Sequence, residues 1–247
     1  MRITFVAAVL LVMGSALAAA DLPVIPADPI AVKKEQLFTD DFERTELGPA
    51  WGPVVPTYAI ENGALKGTQT RFNAPAADGK PAVVGHAAVI GTTIPTKDSV
   101  LAFRLRFAGA TALSAEFDDR AYTGSHYGHI CRVVVTLADV TLRDECEGSM
   151  RNDIYEMGKD PSKKAERLRL IAGRSATFPH ELAVGTWYSL VLETAGDAMR
   201  ASIDGTPVAY LKSSGIAHPT KSKIEFGCAG ADGFFDDITI WNADPAK

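Results

Sequence analysis

The segment at residues 101–107, Leu-Ala-Phe-Arg-Leu-Arg-Phe, constrains this chain more than any other. Leu101, Phe103, Leu105 and Phe107 alternate with Ala102, Arg104 and Arg106. Only an extended strand puts every second residue on one face, and a strand patterned this way is buried on one side and wet on the other. Shorter strand-like runs lie at residues 58–60, 87–90, 112–117, 132–136, 141–144, 188–193, 199–203, 208–211, 223–226 and 234–241. Asn62-Gly63 predicts a hairpin pairing Ile60 with Leu65, and Asp204-Gly205 one pairing Ile203 with Thr206. Both dipeptides accept the positive φ angles of tight turns. Gly196-Asp197 marks a third reversal. Many short strands separated by turns predict an all-β sandwich of two antiparallel sheets.

One stretch breaks the pattern. Asp160-Pro161-Ser162, then residues 163–171 and Gly173, supplies an N-cap, a first-turn proline and a terminating glycine, which predicts one short inserted helix. The polar residues 145–159 before it read as a lid over a site or as a long solvated loop.

Residues 1–20 read as a secretory signal: Arg2 is basic, residues 3–13 are almost wholly apolar, and residues 16–20 are small. That apolar run falls short of the roughly 20 residues a membrane span needs. Export to the periplasm or the outside is expected, with no membrane anchor after cleavage. Residues 21–36, with prolines at 23, 26 and 29, read as an extended lead-in, and residues 37–243 as one domain. Sandwiches of about 200–250 residues are ordinary. A formal charge of −5 and the lack of a basic cluster argue against nucleic acid as a partner.

Three cysteines are present, Cys131, Cys146 and Cys228. If Thr136 faces Thr141 across a turn, the register sets Cys131 opposite Cys146, and opposed residues lie at about 4.5–5.5 Å, within disulfide reach. A Cys131–Cys146 bridge is the expectation, with Cys228 a buried thiol.

The densest polar constellation is His126, Tyr127, His129 and Arg132, with Glu116 and Asp118 just upstream. Alternation would turn Glu116 and Asp118 away from Leu113, Ala115 and Phe117, and the reversal at residues 121–125 would return the histidines beside them. The same residues also describe a surface loop whose histidines satisfy backbone groups. His-x-x-His is a poor zinc spacing, since helical ligands favour i and i+4, so a divalent metal needs Asp118 or His218 as a further ligand. No cofactor is demanded. His218 and Lys221 read as ligand contacts on a loop, and Arg104 as a sugar or carboxylate contact or a solvated charge.

Several segments carry a resemblance. Asp40-Asp-Phe-Glu-Arg44 with Leu47-Gly48 and Trp51, the 58–67 hairpin, Gly185-Thr-Trp187, Ile203-Asp-Gly205 and Phe235-Asp-Asp-Ile-Thr-Ile-Trp241 resemble strands of concanavalin A-like (lectin/glucanase) domains. Within that superfamily the chain most resembles the 3-keto-disaccharide hydrolase family, also described as family 16 glycoside hydrolase-like, over residues 37–241. The resemblance implies a jelly-roll fold, a carbohydrate ligand, and action on sugars oxidised to a ketone at carbon 3. A ketone acidifies the neighbouring C–H, so a base can remove the proton and the glycosidic oxygen can leave. His126 or His129 would be base or metal ligand, Glu116 or Asp118 would orient it, and Arg132 or Lys221 would stabilise negative charge. A non-catalytic sugar-binding or cell-envelope interaction domain is the alternative. The chain departs from the glucanases of this fold: Glu116-Phe-Asp118 begins their Glu-x-Asp-x-Glu motif, but Arg120 and Ala121 stand where a second glutamate belongs.

Overall fold

The computed structural model describes residues 22–77 and 80–247, so the secretory signal read at residues 1–20 lies outside the described residues. Thirteen strands among the described residues form one continuous antiparallel network. Two long strands organise it, β6 (Ser99–Asp118) and β13 (Lys221–Pro245). They pair along almost their whole length, from Lys223 opposite Asp118 to Asn242 opposite Ser99.

Bulges at residues 229–233 and 236–239 bend this ladder, as extra residues on one strand do. Its two halves therefore serve two layers. The first half of β6 and the last part of β13 pair with β10 (Tyr188–Ala195) and β1 (Ala31–Asp40). β11 (Ala198–Ile203) and β12 (Thr206–Lys212) extend that layer beyond β10. The opposite halves pair with β7 (His129–Val135) and β5 (Ala88–Thr96). β8 (Asp139–Asp144) and β9 (Ser175–Pro179) continue beyond β7, and β2 (Gly52–Val55) beyond β5. β4 (Ala64–Thr68) and β3 (Tyr58–Glu61) join at the middle of β13. β12 packs against β8 and β9, which closes the layers into a jelly-roll sandwich. The runs read separately at 101–107 and 112–117 are thus one bent strand, as are those at 223–226 and 234–241.

Between the layers lie the residues that alternation assigned to the core. Leu101, Phe103, Leu105, Phe107, Leu113, Ala115 and Phe117 are all buried. Phe226 joins the halves, edge-on to Phe103 at 5.3 Å and to Phe235 at 5.1 Å between ring centroids. Both short hairpins take the expected register, Ile60 opposite Leu65 and Ile203 opposite Thr206. Their turn residues Asn62, Gly63, Asp204 and Gly205 all have positive φ.

Two expectations need correction, the boundary of the lead-in and the disulfide. Strand pairing starts at Ala31, inside the stretch read as lead-in. The expected helix is α2 (Lys164–Leu170), led into by a 3-10 turn, Pro161–Lys163, that Asp160 caps by accepting from Ser162 N–H at 2.9 Å, and a further short helix, α1 (Asn152–Met157), precedes it. The Cys131–Cys146 bridge is not formed: all three thiols are free and buried. The reason is the turn. Thr136 Oγ1 accepts from the N–H groups of Ala138 and Asp139, which makes Thr136 the first turn residue and not the last of β7. Val135 then faces Val140, and Cys131 faces Asp144. Cys228 is buried, as expected, with its thiol on the carbonyls of Gly67 and Ala231.

The segment before β1 covers part of the first layer. Arg200 on β11 pairs with Glu193 on β10 at 2.6 Å, and its other nitrogens donate to the carbonyls of Pro26 and Ala27 at 2.9 Å. Both side chains are about 95 % removed from solvent. Breaking a buried pair strands its partner charge, at a cost of about 3–5 kcal/mol. Arg200→Ala should therefore lower unfolding free energy in urea by about that much. Replacing Glu193 and Arg200 together by leucine and methionine should cost clearly less.

Candidate functional site

The outer face of the second layer carries a line of charge. Glu116 and Asp118 share one face of β6, opposite the core face of Ala115 and Phe117. The ladder sets Glu225 of β13 directly across from Glu116, and Lys223 across from Asp118. On the other side β7 brings Arg132 beside Glu116 and His129 beside Asp118. The reversal between β6 and β7 is pinned by Asp119, whose N–H and C=O bond to Gly128 and Tyr122, and by Ser125, whose hydroxyl donates to the His129 carbonyl at 2.7 Å.

These residues form one connected chain of ion pairs. Lys223 meets Glu225 at 2.7 Å, and Glu225 bonds Arg120. Arg120 Nη2 lies 3.0 Å from Asp118 Oδ2, and its Nη1 donates to the Tyr127 carbonyl at 2.8 Å. His129 Nδ1 lies 2.8 Å from Asp118 and 3.0 Å from Glu116. Arg132 reaches Glu116 at 3.5 Å and donates to Glu145 at 2.6 Å, and Ser149 closes the line on Glu145, also at 2.6 Å. Four carboxylates face three permanent cations and one histidine.

That imbalance decides the state of His129. Burial alone would lower its pKa, but hydrogen bonds and charge from Asp118 and Glu116 carry it up to about 10. It is an imidazolium at neutral pH. Burial, with Glu116 nearby, pushes Asp118 up to about 6 against the opposing His129 bond. Glu116 is pushed up by burial too, yet the Arg132 charge and the His129 contact hold it below the usual range. Glu116 Oε1 and Asp118 Oδ2 are buried, each 3.0 Å from a cation, His129 and Arg120 respectively, but without a donor aligned for a hydrogen bond.

Glu116, Asp118 and His129 each offer a ligand atom, all within 4.8 Å of one another. Two carboxylates and one imidazole suit a borderline divalent cation, which would require His129 to lose its proton.

The other sequence candidates are dispersed. His126 lies at the rim, stacked on Tyr155 of α1 at 3.7 Å between centroids and 6.2 Å from the His129 ring. Burial and the His129 charge lower its pKa, so it is neutral at pH 7. Tyr127 is 74 % exposed at a φ of +51°, a conformation uncommon for a side chain this size. His218 pairs with Asp119 at 3.1 Å and packs on Tyr122. Lys221 is not a surface contact: it is fully buried, donating to the carbonyls of Lys97 and His218. It sits first in β13, beyond a register shift between Lys221 and Lys223 that takes it out of the alternation placing Lys223 and Glu225 on that face. Arg104 belongs to the other layer, over the Trp187 ring at 4.8 Å and against Asp236 and Asp237. Residues 145–159 are neither a free lid nor a solvated loop, since Glu145, Cys146, Gly148 and Ile154 are buried and Tyr155 holds His126.

Sequence reasoning missed Glu225, Lys223, Arg120, Glu145 and Tyr155. The alternation of Lys223 and Glu225 with Ile224 and Phe226 was a usable signal. Nothing local marked Glu145, which reaches Arg132 only through the β7–β8 register.

No family model and no curated protein matches the chain. Solved structures do. Crh5 transglycosylase aligns with a TM-score of 0.55 at 14 % identity, covering 90 % of this chain and 92 % of that one. The catalytic domain of an endo-1,3-β-glucanase (laminarinase) from Thermotoga petrophila aligns with a TM-score of 0.54 at 12 % identity, covering 87 % and 100 %. The carbohydrate-binding module CBM66 from Bacillus subtilis gives 0.52 at 14 %, covering 78 % and 96 %. At such identities the likeness establishes the jelly-roll fold.

A raised histidine pKa means the folded state holds its proton more tightly than the unfolded chain. The stabilisation is complete below the ordinary value of about 6.5 and disappears as pH rises to about 10. Urea midpoints of the metal-free protein should therefore fall between pH 6.5 and 10. His129→Gln should flatten that fall, and an equal slope in both proteins would refute the assignment.

Proposed function

We propose that this protein acts on carbohydrate over the outer face of the second layer, and that its substrate is a glycoside carrying a ketone at carbon 3. The observation that carries the reading is the Glu116–Asp118–His129 cluster, two buried carboxylates held around one imidazolium. The jelly-roll neighbours, two glycan-processing enzymes and a carbohydrate-binding module, support a sugar ligand.

Removal of a proton beside a ketone needs a base that is ionised at neutral pH yet not too weak. Asp118, at about 6, meets that requirement. His129, held as a cation, cannot be the base; it and the guanidinium groups of Arg120 and Arg132 supply the positive field for an enolate oxygen. The base takes the proton from carbon 2, the C–H electrons form the enolate, and the enolate expels the glycosidic oxygen from carbon 1, which takes that proton from the base and leaves as the alcohol. Water then adds its hydroxyl at carbon 1 and its proton passes through the base to carbon 2, so the sum is hydrolysis. His126, neutral and at the rim, is placed to pass protons to solvent. A divalent cation on Glu116, Asp118 and a deprotonated His129 would instead supply polarisation of the ketone, in place of the imidazolium and with Asp118 no longer the base.

The charge pairing itself favours a second reading, a non-catalytic carbohydrate-binding module. A cluster so fully neutralised is stable without turnover.

Release of aglycone from a chromogenic 3-keto-glucoside, with and without chelator, separates the two. Asp118→Asn should lower kcat by about 10²–10⁴-fold, and His126→Ala by less. Activity lost to chelator and restored by added metal would assign the cation. A wild-type protein that retains glycan in affinity electrophoresis yet never turns over the keto-glucoside would establish the binding module instead.

A further inference from the structure

A cleft of about 280 Å³ opens beside the charge line, between α1 and α2. Ligand clefts usually span roughly 300–1,000 Å³, so this one suits a single sugar unit or its substituent. Its walls connect directly to the candidate site. Ser149, on one side, is the terminal member of the ion-pair line through Glu145. Tyr155, on another, is the ring on which His126 stacks.

The floor is cationic. Lys159 lies over the Tyr155 ring at 4.9 Å, with its charge answered by Glu156 at 2.6 Å. Arg167 is different. It is the least exposed residue of α2, and its Nε donates to the Ile154 carbonyl at 3.2 Å. Among the described residues it makes no ion pair with a carboxylate. Gly158 leaves it room, since a Cβ there would come within 3.3 Å of Arg167 Nε. An anchored guanidinium without a counter-ion, facing a cleft with an aromatic wall, is a fork for a planar or tetrahedral anion.

We infer that this cleft is an anion subsite, which takes a carboxylate or sulfate borne by the carbohydrate proposed above. The inference rests on that reading for the sugar and adds its charge. The anion accepts from Arg167, while the next sugar in the chain extends past Ser149 toward Glu116 and Asp118.

Affinity electrophoresis of the full mature chain in gels containing polygalacturonate, a sulfated galactan or neutral laminarin tests it. Wild type should be retarded at least about 10-fold more strongly by one anionic polymer than by laminarin, and the two anionic gels tell carboxylate from sulfate. Arg167→Ala should abolish the difference. Gly158→Glu should do the same while keeping Arg167, by placing a carboxylate beside it. Lys212→Ala, remote on β12, changes net charge by the same amount as Arg167→Ala and should leave retardation intact. Equal retardation of wild type by all three gels, or equal loss in the Lys212 variant, overturns the subsite without touching the sugar reading. Failure of every gel to retard the wild type overturns both.

Discussion

The ladder between β6 and β13 fixes where every charged group of the candidate site can be. Its register is set by the core, because Ala115, Phe117, Ile224 and Phe226 must all face inward. A slip of one residue would turn each of them to solvent. With that register imposed, Glu116 and Glu225 are forced opposite one another on the outer face. Like charges directly across a strand pair are destabilising. The fold is therefore committed by its apolar side to a repulsion on its polar side, and the remaining site residues are arranged around that repulsion.

Arg120, Lys223, Arg132 and His129 supply the answer, each touching one or two of the carboxylates. The line matters more than any single pair. Buried ions cost several kcal/mol each unless compensated, and a chain that alternates sign lets one cation serve two anions. It also explains why His129 is an imidazolium, because three permanent cations cannot balance Glu116, Asp118, Glu145 and Glu225. The electrostatics of Asp118 follow from the same geometry: burial and Glu116 raise it, and the His129 bond stops it rising further.

Much of the fold was legible in the sequence because alternation and turn chemistry are local. Leu101 to Phe107, Asn62-Gly63 and Asp204-Gly205 each dictate their geometry within a few residues. The Cys131–Cys146 register failed where a local competitor went unweighed, the Thr136 hydroxyl that captures two backbone N–H groups and starts the turn early. Site residues were legible only where they shared a strand or an adjacent reversal, as Glu116, Asp118, His129 and Arg132 do. Glu225 and Glu145 enter from strands distant in the chain, and no local pattern says which strand will lie beside β6. Lys221 misled for the opposite reason: a lysine after a loop reads as a ligand contact at the surface, yet its ammonium is enclosed by the carbonyls of Lys97 and His218.

Arg120 marks the difference in chemistry from the two-carboxylate glucanases. Position 120 is where a Glu-x-Asp-x-Glu strand would carry its second glutamate, and here a guanidinium reaches back to Asp118 and across to Glu225. Retaining hydrolysis needs a nucleophile and a proton donor about 5–5.5 Å apart. Glu225, directly across from Glu116, is clamped between Arg120 and Lys223. A substituted guanidinium thus removes the proton donor and adds a cation beside the base. The face is left with one carboxylate poised near neutrality and several fixed positive charges, a combination suited to taking a proton from an acidified carbon and holding the anion that results.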